Sequence, residues 1–274
     1  MSFKTNNDGS NRIFLGTALT LPSAIEGIAV DALRIIFQNL YETGERLENK
    51  LISISITSSD LDDSEPDIYV AYNSILGDAW TIIDGIRRLE LVLKYITGVP
   101  KKISEDLQEI FDKIKSVRDS FQHIDERIDL HFSNIGGSVF GELFWRFREN
   151  IDERENLCCI VSGISRKARN TDVETGPELE QFSQNVGVYD LSLIYIKRDS
   201  RRSPNHSKVI VSIDEAIKHV NALISHLEDQ YSRFYESLDK TEKLKGSLPY
   251  KINLRVTSEA FARNKENKKR TPLM

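Results

Sequence analysis

An α+β fold, predominantly α, follows from three observations on the 274-residue chain. Long stretches of the first half repeat apolar residues at helical spacing. The stretch from Leu157 to Val211 is instead rich in β-branched and aromatic residues between polar loops, and a last regular helical stripe runs from Ile213 to Leu238. A period of about 3.6 residues marks a helix with one buried face, and β-branched or aromatic runs mark strands. The predicted order is an N-terminal antiparallel helical bundle over 1–156, with its core at about 22–130, followed by a small antiparallel sheet packed with a long amphipathic helix over 157–258. A basic tail at 259–274, containing RNKENKKR, is expected to be disordered.

The elements follow in order. Residues 1–11 are polar, and Lys4 and Arg12 precede IFLGTALTLPSA, a short apolar run that only loosely imitates an export signal. Ser23 is a candidate N-cap for a helix whose apolar face holds Ile25, Ile28, Ala29, Ala32, Ile35, Ile36 and Leu40. LISISI (51–56) alternates as a strand would, yet sits between helical segments, and reads as a helix end plus an extended linker. SSDLDDSEPD is an acidic, solvated loop. Pro66 suits the first turn of a second helix that Gly98 and Pro100 stop, with Ala71, Ile75, Ala79, Ile82, Ile86, Leu89, Leu93 and Ile96 as its stripe. A third helix over 103–128 repeats the pattern with Ile103, Leu107, Ile110, Ile114, Val117, Phe121, Ile124 and Ile128. A short connection between two such stripes implies an antiparallel hairpin.

Beyond Asp129, NIGGS should break the helix, and VFGELFWRFREN reads as a renewed amphipathic helical run through Phe140, Phe144 and Phe147. The domain boundary is read near Asn156. Leu157–Ser165, Val188–Lys197 and Lys208–Val211 are the predicted strands. Ser212 and Glu215 have capping-box spacing, so a helix over 213–239 should start at Ile213 and present Ile217, Val220, Ile224, Leu227, Tyr231 and Phe234. Tyr250–Thr257 reads as a last short strand.

Composition narrows the function classes. A net charge of −5 argues against a surface that is basic all round, so nucleic acid must be met by a local patch. The two cysteines are the adjacent Cys158 and Cys159, which form neither a disulfide framework nor a metal site and fit a cytoplasmic setting. No run of about 18 uncharged apolar residues is present, so no membrane span is expected. P-loop, Rossmann and nucleophile-elbow signatures are missing as well. His219 and His226 lie two turns apart, too far for one metal ion without a third element, and Asp190 and Asp214 form no catalytic pair by spacing. KRDSRRSPNHSK, with Lys197, Arg198, Arg201, Arg202, His206 and Lys208, is a charged loop that could attract RNA non-specifically.

The third helix carries the strongest candidate chemistry. Opposite its apolar stripe lie Arg118, Asp119, Gln122, His123 and Glu126. Arg118 and His123 sit roughly 140° apart on the helical wheel, and Asp119 lies one turn before His123. Arginine stays charged and grips phosphate oxygens bidentately, while histidine titrates near pH 6.5 and can give or take a proton. Asp119 could accept the ring proton of His123 and fix its tautomer. A plainer reading is a solvated helix face on which Arg118 pairs with Gln122 or a nearby acid. Asp84 and Arg88, four apart on the second helix, read as a surface pair that could support the motif if the two helices lie side by side.

The segment R-D-S-F-Q-H (118–123), an arginine, a polar residue and then a histidine on a late helix of an all-α unit, resembles the motif of the HEPN superfamily of helical ribonucleases and nucleotide-binding domains. The preceding YNSILGDAWTIIDGIRRLELVLKYI is similar to the long helix before that motif, and the resemblance spans about Pro22 to Asp129. Many relatives carry Asn after the arginine where this chain has Asp119. The resemblance implies a metal-independent endoribonuclease of the toxin or phage-defence kind, with Arg118, His123 and Asp119 as catalytic residues. It implies no cofactor and no metal, a homodimer that brings two motifs to a shared cleft, RNA as substrate, and an antitoxin or regulatory protein as a further partner. The alternative is a non-catalytic helical interaction or sensor protein that keeps the fold.

Overall fold

The computed structural model describes residues 21, 23–57, 66–122, 140–160, 185–198 and 206–240. Among them run α1 (Ala24–Thr57), α2 (Pro66–Leu93), α3 (Lys101–Gln122), β1 (Glu142–Arg148), β2 (Asn156–Ile160), β3 (Gly187–Arg198), β4 (His206–Ser212) and α4 (Ile213–Ser237). All strand pairings are antiparallel, in the order β2-β1-β3-β4. The fold is thus α+β and predominantly α, as the sequence predicts.

The stripes predicted for α2, α3 and α4 are buried, but the α1 face is corrected. α1 carries apolar residues on two sides, and Ile25, Ile28 and Ile35 of the predicted set are exposed at 64%, 72% and 53% while Val30, Leu33 and Phe37 turn to the core. On α1 the buried set is Ala29, Val30, Leu33, Phe37, Leu40, Leu47 and Leu51, and on α2 it is Ile75, Ala79, Ile82, Ile83, Ile86 and Leu89. Leu107, Ile110, Phe111, Ile114 and Val117 do the same for α3, and Ile217, Val220, Leu223, Ile224, Leu227 and Tyr231 for α4. The sheet meets them with one face. Strand alternation puts Leu143, Trp145 and Phe147 of β1 with Val188, Leu193 and Tyr195 of β3 on that side. The Trp145 indole donates to Ser55 Oγ of α1 at 2.8 Å, and Trp80 of α2 stacks edge-on against Tyr195 with centroids 6.3 Å apart. One continuous core therefore joins helices and sheet.

The α2–α3 turn is clasped from both sides. Glu26 accepts from the Thr97 amide at 3.1 Å, from its hydroxyl at 2.7 Å and from the Tyr231 hydroxyl at 3.2 Å. From α4, Gln230 Nε2 donates to Thr97 O, and His226 Nε2 lies 3.1 Å from Gly98 O. Gly98 has φ +80, a backbone that side chains rarely adopt, which fits its place at the predicted stop. At the start of α4, Ser212 Oγ accepts from the Glu215 amide at 3.2 Å, the expected cap.

Several sequence readings are corrected. LISISI is not a linker: α1 continues through it to Thr57, because Leu51 is buried in the core and Ser55 returns its hydroxyl to Leu51 O while accepting from Trp145. VFGELFWRFREN is not a helix but contains β1. All seven β1 residues are buried, so both faces are occupied and the expected alternation is erased, leaving an accidental helical spacing of phenylalanines. The sheet consequently begins at Glu142, and the boundary read near Asn156 falls within the β1–β2 pair. The second helix ends at Leu93 rather than Gly98. The readings at 123–128, 161–165 and 250–257, and the basic tail, lie outside the described residues.

Gly141 opens β1 at φ +81, and an added Cβ would lie 2.7 Å from the Ile194 carbonyl oxygen. Backbone cannot yield as a side-chain tip can. Gly141→Ala is expected to cost about 2–4 kcal/mol from strain and overlap combined, read as a lower urea midpoint with an unchanged slope.

Candidate functional site

The C-terminal third of α3 lies against α2, and that contact determines the surroundings of Arg118. Its Nε donates to Asp84 Oδ1 at 3.2 Å, while Arg88, one turn along α2 from Asp84, reaches Oδ2 at 2.7 Å. One carboxylate therefore sits between two guanidinium groups. Exposure differs along the row: the side chain of Arg118 is 29% exposed, Asp84 34% and Arg88 68%. At such exposure the pairs are screened and are worth about 0–1 kcal/mol each. The group is open enough to exchange a carboxylate for a phosphate oxygen, a swap that costs little when the resident pair is this weak.

Asp119, next to Arg118, is half-buried. His123 lies outside the described residues, so its relation to Arg118 and Asp119 rests on the sequence alone. Trp80, on the same helix as Asp84, donates its indole N–H to Phe140 O at 3.0 Å and packs on Tyr195. It is a packing residue joining α2 to the sheet.

A second charged row, on α1 and α2, has a different character. Asp78 is buried and receives Arg46 Nε at 3.0 Å, Arg46 Nη2 at 2.8 Å and Lys50 Nζ at 2.5 Å. A carboxylate so fully used ties two helices together rather than waiting for a ligand. The shallow depression of about 530 Å³ beside it is lined by α1 residues, Arg46 and Lys50 included, and takes none from α3.

The remaining sequence candidates do not converge. His219 Nε2 is 4.0 Å from Glu215 Oε1, whereas His226 is engaged with the Gly98 carbonyl. No group of three or more His, Cys, Asp or Glu side chains suited to a metal occurs among the described residues. Cys158 faces the helices, with Sγ 3.8 Å from Ser55 Oγ, and burial raises its thiol pKa. Cys159 points the other way and is also raised, chiefly by burial. Lys197, Arg198 and His206 fall in β3 and β4, while Arg201 and Arg202 lie outside the described residues. No described helix is long and apolar enough to cross a membrane.

No family model matches the chain, and no curated protein or solved structure is significantly similar to it.

Sequence reasoning saw Asp84 and Arg88 as a pair but could not join Arg118 to them, because that contact spans 34 residues and depends on the rotation of α3 against α2. It weighed Asp214 only as half of a catalytic pair and had no sign of its burial. That carboxylate is largely buried at the start of α4, where Oδ2 accepts from the Leu191 amide at 3.0 Å and Oδ1 has no hydrogen-bond partner. Burial raises its pKa above 3.8, with the Leu191 hydrogen bond opposing.

The folded chain thus holds the Asp214 proton more tightly than the unfolded chain. Its contribution to stability is fully present below the ordinary aspartate value and is lost as pH rises through the raised folded-state value. Asp214→Asn keeps an oxygen for Leu191 but cannot ionise. Urea midpoints measured from about pH 4 to pH 6 are expected to fall less steeply, or rise more steeply, in the variant than in the parent. An identical pH profile would contradict this assignment.

Proposed function

We propose that the chain is a metal-independent endoribonuclease of the HEPN kind, acting as a homodimer in the cytoplasm on RNA, with Arg118 and His123 as its principal catalytic residues. The observation that carries this reading is the shared carboxylate: Asp84 holds Arg118 and Arg88 together at a part-exposed ledge, close to the end of α3 that leads into the motif histidine. Such a ledge offers two permanently charged guanidiniums to one phosphodiester.

The reaction needs no external nucleophile. The ribose 2′-oxygen attacks phosphorus, the bond to the 5′-oxygen breaks, and a 2′,3′-cyclic phosphate and a 5′-hydroxyl result. A histidine takes the 2′-proton and a second group protonates the departing 5′-oxygen, which is why two motifs meeting across a dimer suit this chemistry. Arg118 supplies the charge that stabilises the phosphorane, and Asp119 orients the imidazole. A toxin or defence role would call for an antitoxin or regulatory partner to restrain the activity.

A second reading, a non-catalytic interaction or sensor protein, is favoured by one feature. The Arg118–Asp84 pair already ties α3 to α2, a task that requires no substrate.

Purified protein incubated with structured and unstructured RNA in EDTA separates the two. The nuclease reading expects fragments ending in 2′,3′-cyclic phosphate and a loss of about 10²-fold or more in Arg118→Ala and in His123→Ala. Intact RNA, or cleavage that survives both substitutions, would leave the interaction reading.

A further inference from the structure

Exposed apolar side chains gather at one end of the α1–α2 pair. Ile25, Ile28 and Ile35 lie on one side of α1, while Leu91 on α2 and Tyr95 in the turn after it are 42% and 59% exposed. The two helices run antiparallel, since Lys50 reaches Ser74 and Asp78, Leu40 packs where Gly85 has no side chain, and Glu26 holds Thr97. That register sets residues 25–35 of α1 beside 88–99 of α2, with axes about 8–10 Å apart. Both sets are turned away from the core that their helices cover. Ile56, Phe140, Ile151 and Leu157 are exposed singly on other parts of the chain. Single exposed hydrophobics are ordinary, whereas a cluster marks a surface that meets something.

The α1 side of the cluster is complementary to itself. Its row Ile25, Ile28, Ala32, Ile35 steps by three, four and three residues, so it reads the same in both directions. Turned end over end about a two-fold axis, one copy sets its Ile25 near the partner's Ile35 and its Ile28 over the partner's Ala32, a large side chain against a small one. Charge does not oppose such a meeting, because ionised neighbours are answered within the chain: Asp31 by Arg34, Arg88 by Asp84 and Glu90 by Arg87. Lys94, exposed beside Tyr95, adds one cation at the edge. Area is of the right order as well. At roughly 100 Å² for each side chain, the cluster offers about 500 Å² of apolar surface, close to the ~65% non-polar share of the ~800 Å² that each partner of a standard homodimer buries.

We propose that this face is where a second copy of the chain docks, α1 antiparallel to α1, with Leu91 and Tyr95 closing the flanks. Arg88 lies one turn before Leu91 on the exposed side of α2, so the Arg118–Asp84–Arg88 ledge sits at the rim of the interface. Two-fold symmetry places the partner's ledge at the equivalent point of that rim. The surface rests on exposure and spacing, and shares with the nuclease reading only the expectation of two copies.

Sedimentation of the full chain from about 1 to 100 µM is expected to give the mass of a dimer. Ile28→Glu brings two carboxylates to the centre of the contact, one from each copy, and should weaken association by about 30-fold or more with the helical circular dichroism unchanged. Ile151→Glu adds the same charge to an exposed isoleucine between β1 and β2 and should leave the dimer intact. Ile25→Cys combined with Ile35→Cys puts two thiols about 15 Å apart along one helix, too far for a bridge within a copy. That variant should oxidise to a covalent dimer where the parent does not, and it decides the matter if Ile28→Glu fails to fold. A parent that is monomeric throughout, a dimer that survives Ile28→Glu or is lost equally in Ile151→Glu, or a double-cysteine variant that does not cross-link would overturn the proposal. RNA cleavage is a separate readout: a dimer that leaves RNA intact counts against the nuclease reading alone, and a monomer that cleaves it counts against the docking alone.

Discussion

The apolar face of the sheet and the apolar stripes of the helices have only each other to exclude water, and everything else in the fold depends on that mutual burial. Leu143, Trp145, Phe147, Leu193 and Tyr195 on one side meet Phe37, Leu51, Ile82, Ile114 and Val220 on the other in one connected core. Each fully buried large side chain contributes about 1.5–3 kcal/mol, which outweighs any exposed ion pair at about 0–1 kcal/mol. Core packing therefore sets the rotation of α3 against α2. The charged groups meet where that packing leaves them.

This order of strength explains the two acidic anchors of α2. Asp78 is turned toward α1, loses its water and is answered by Arg46 and Lys50 with short contacts. Asp84 lies under two turns further along, on the side that meets α3, and keeps enough solvent that its pairs with Arg118 and Arg88 are screened by water. The same residue type on the same helix is a structural tie in one position and an exchangeable counter-ion in the other, because burial differs.

Much of the fold was legible because helical stripes depend on local spacing. Those of α2, α3 and α4 could be written down from the chain, as could the cap at Ser212, whose geometry involves neighbours three residues apart. β1 was not legible for a physical reason: Phe144, Arg146 and Arg148 are buried as thoroughly as Leu143, Trp145 and Phe147, so no alternation survives to mark a strand. The α1 end was misread because Ser53 and Ser55 interrupt its apolar residues in a strand-like rhythm, while the reason for Ser55 lies 90 residues away at Trp145. At the site, the residue types of the motif and the Asp84–Arg88 pair were visible, but their union required tertiary packing. The partners of Glu155 were invisible too, since FRENIDERE offers two arginines nearby and only the folded contacts direct Glu155 to Arg146 and Tyr189.

The central functional claim is that the Arg118 and Arg88 ledge is where RNA phosphate docks. It is tested most directly by titrating the protein with a 2′-O-methyl RNA, which cannot be cleaved, while following the arginine Nε–H resonances. The account expects Arg118 and Arg88 to shift together along one saturation curve as Asp84 is displaced. RNA that binds without moving either resonance, or that does not bind at all, would contradict it.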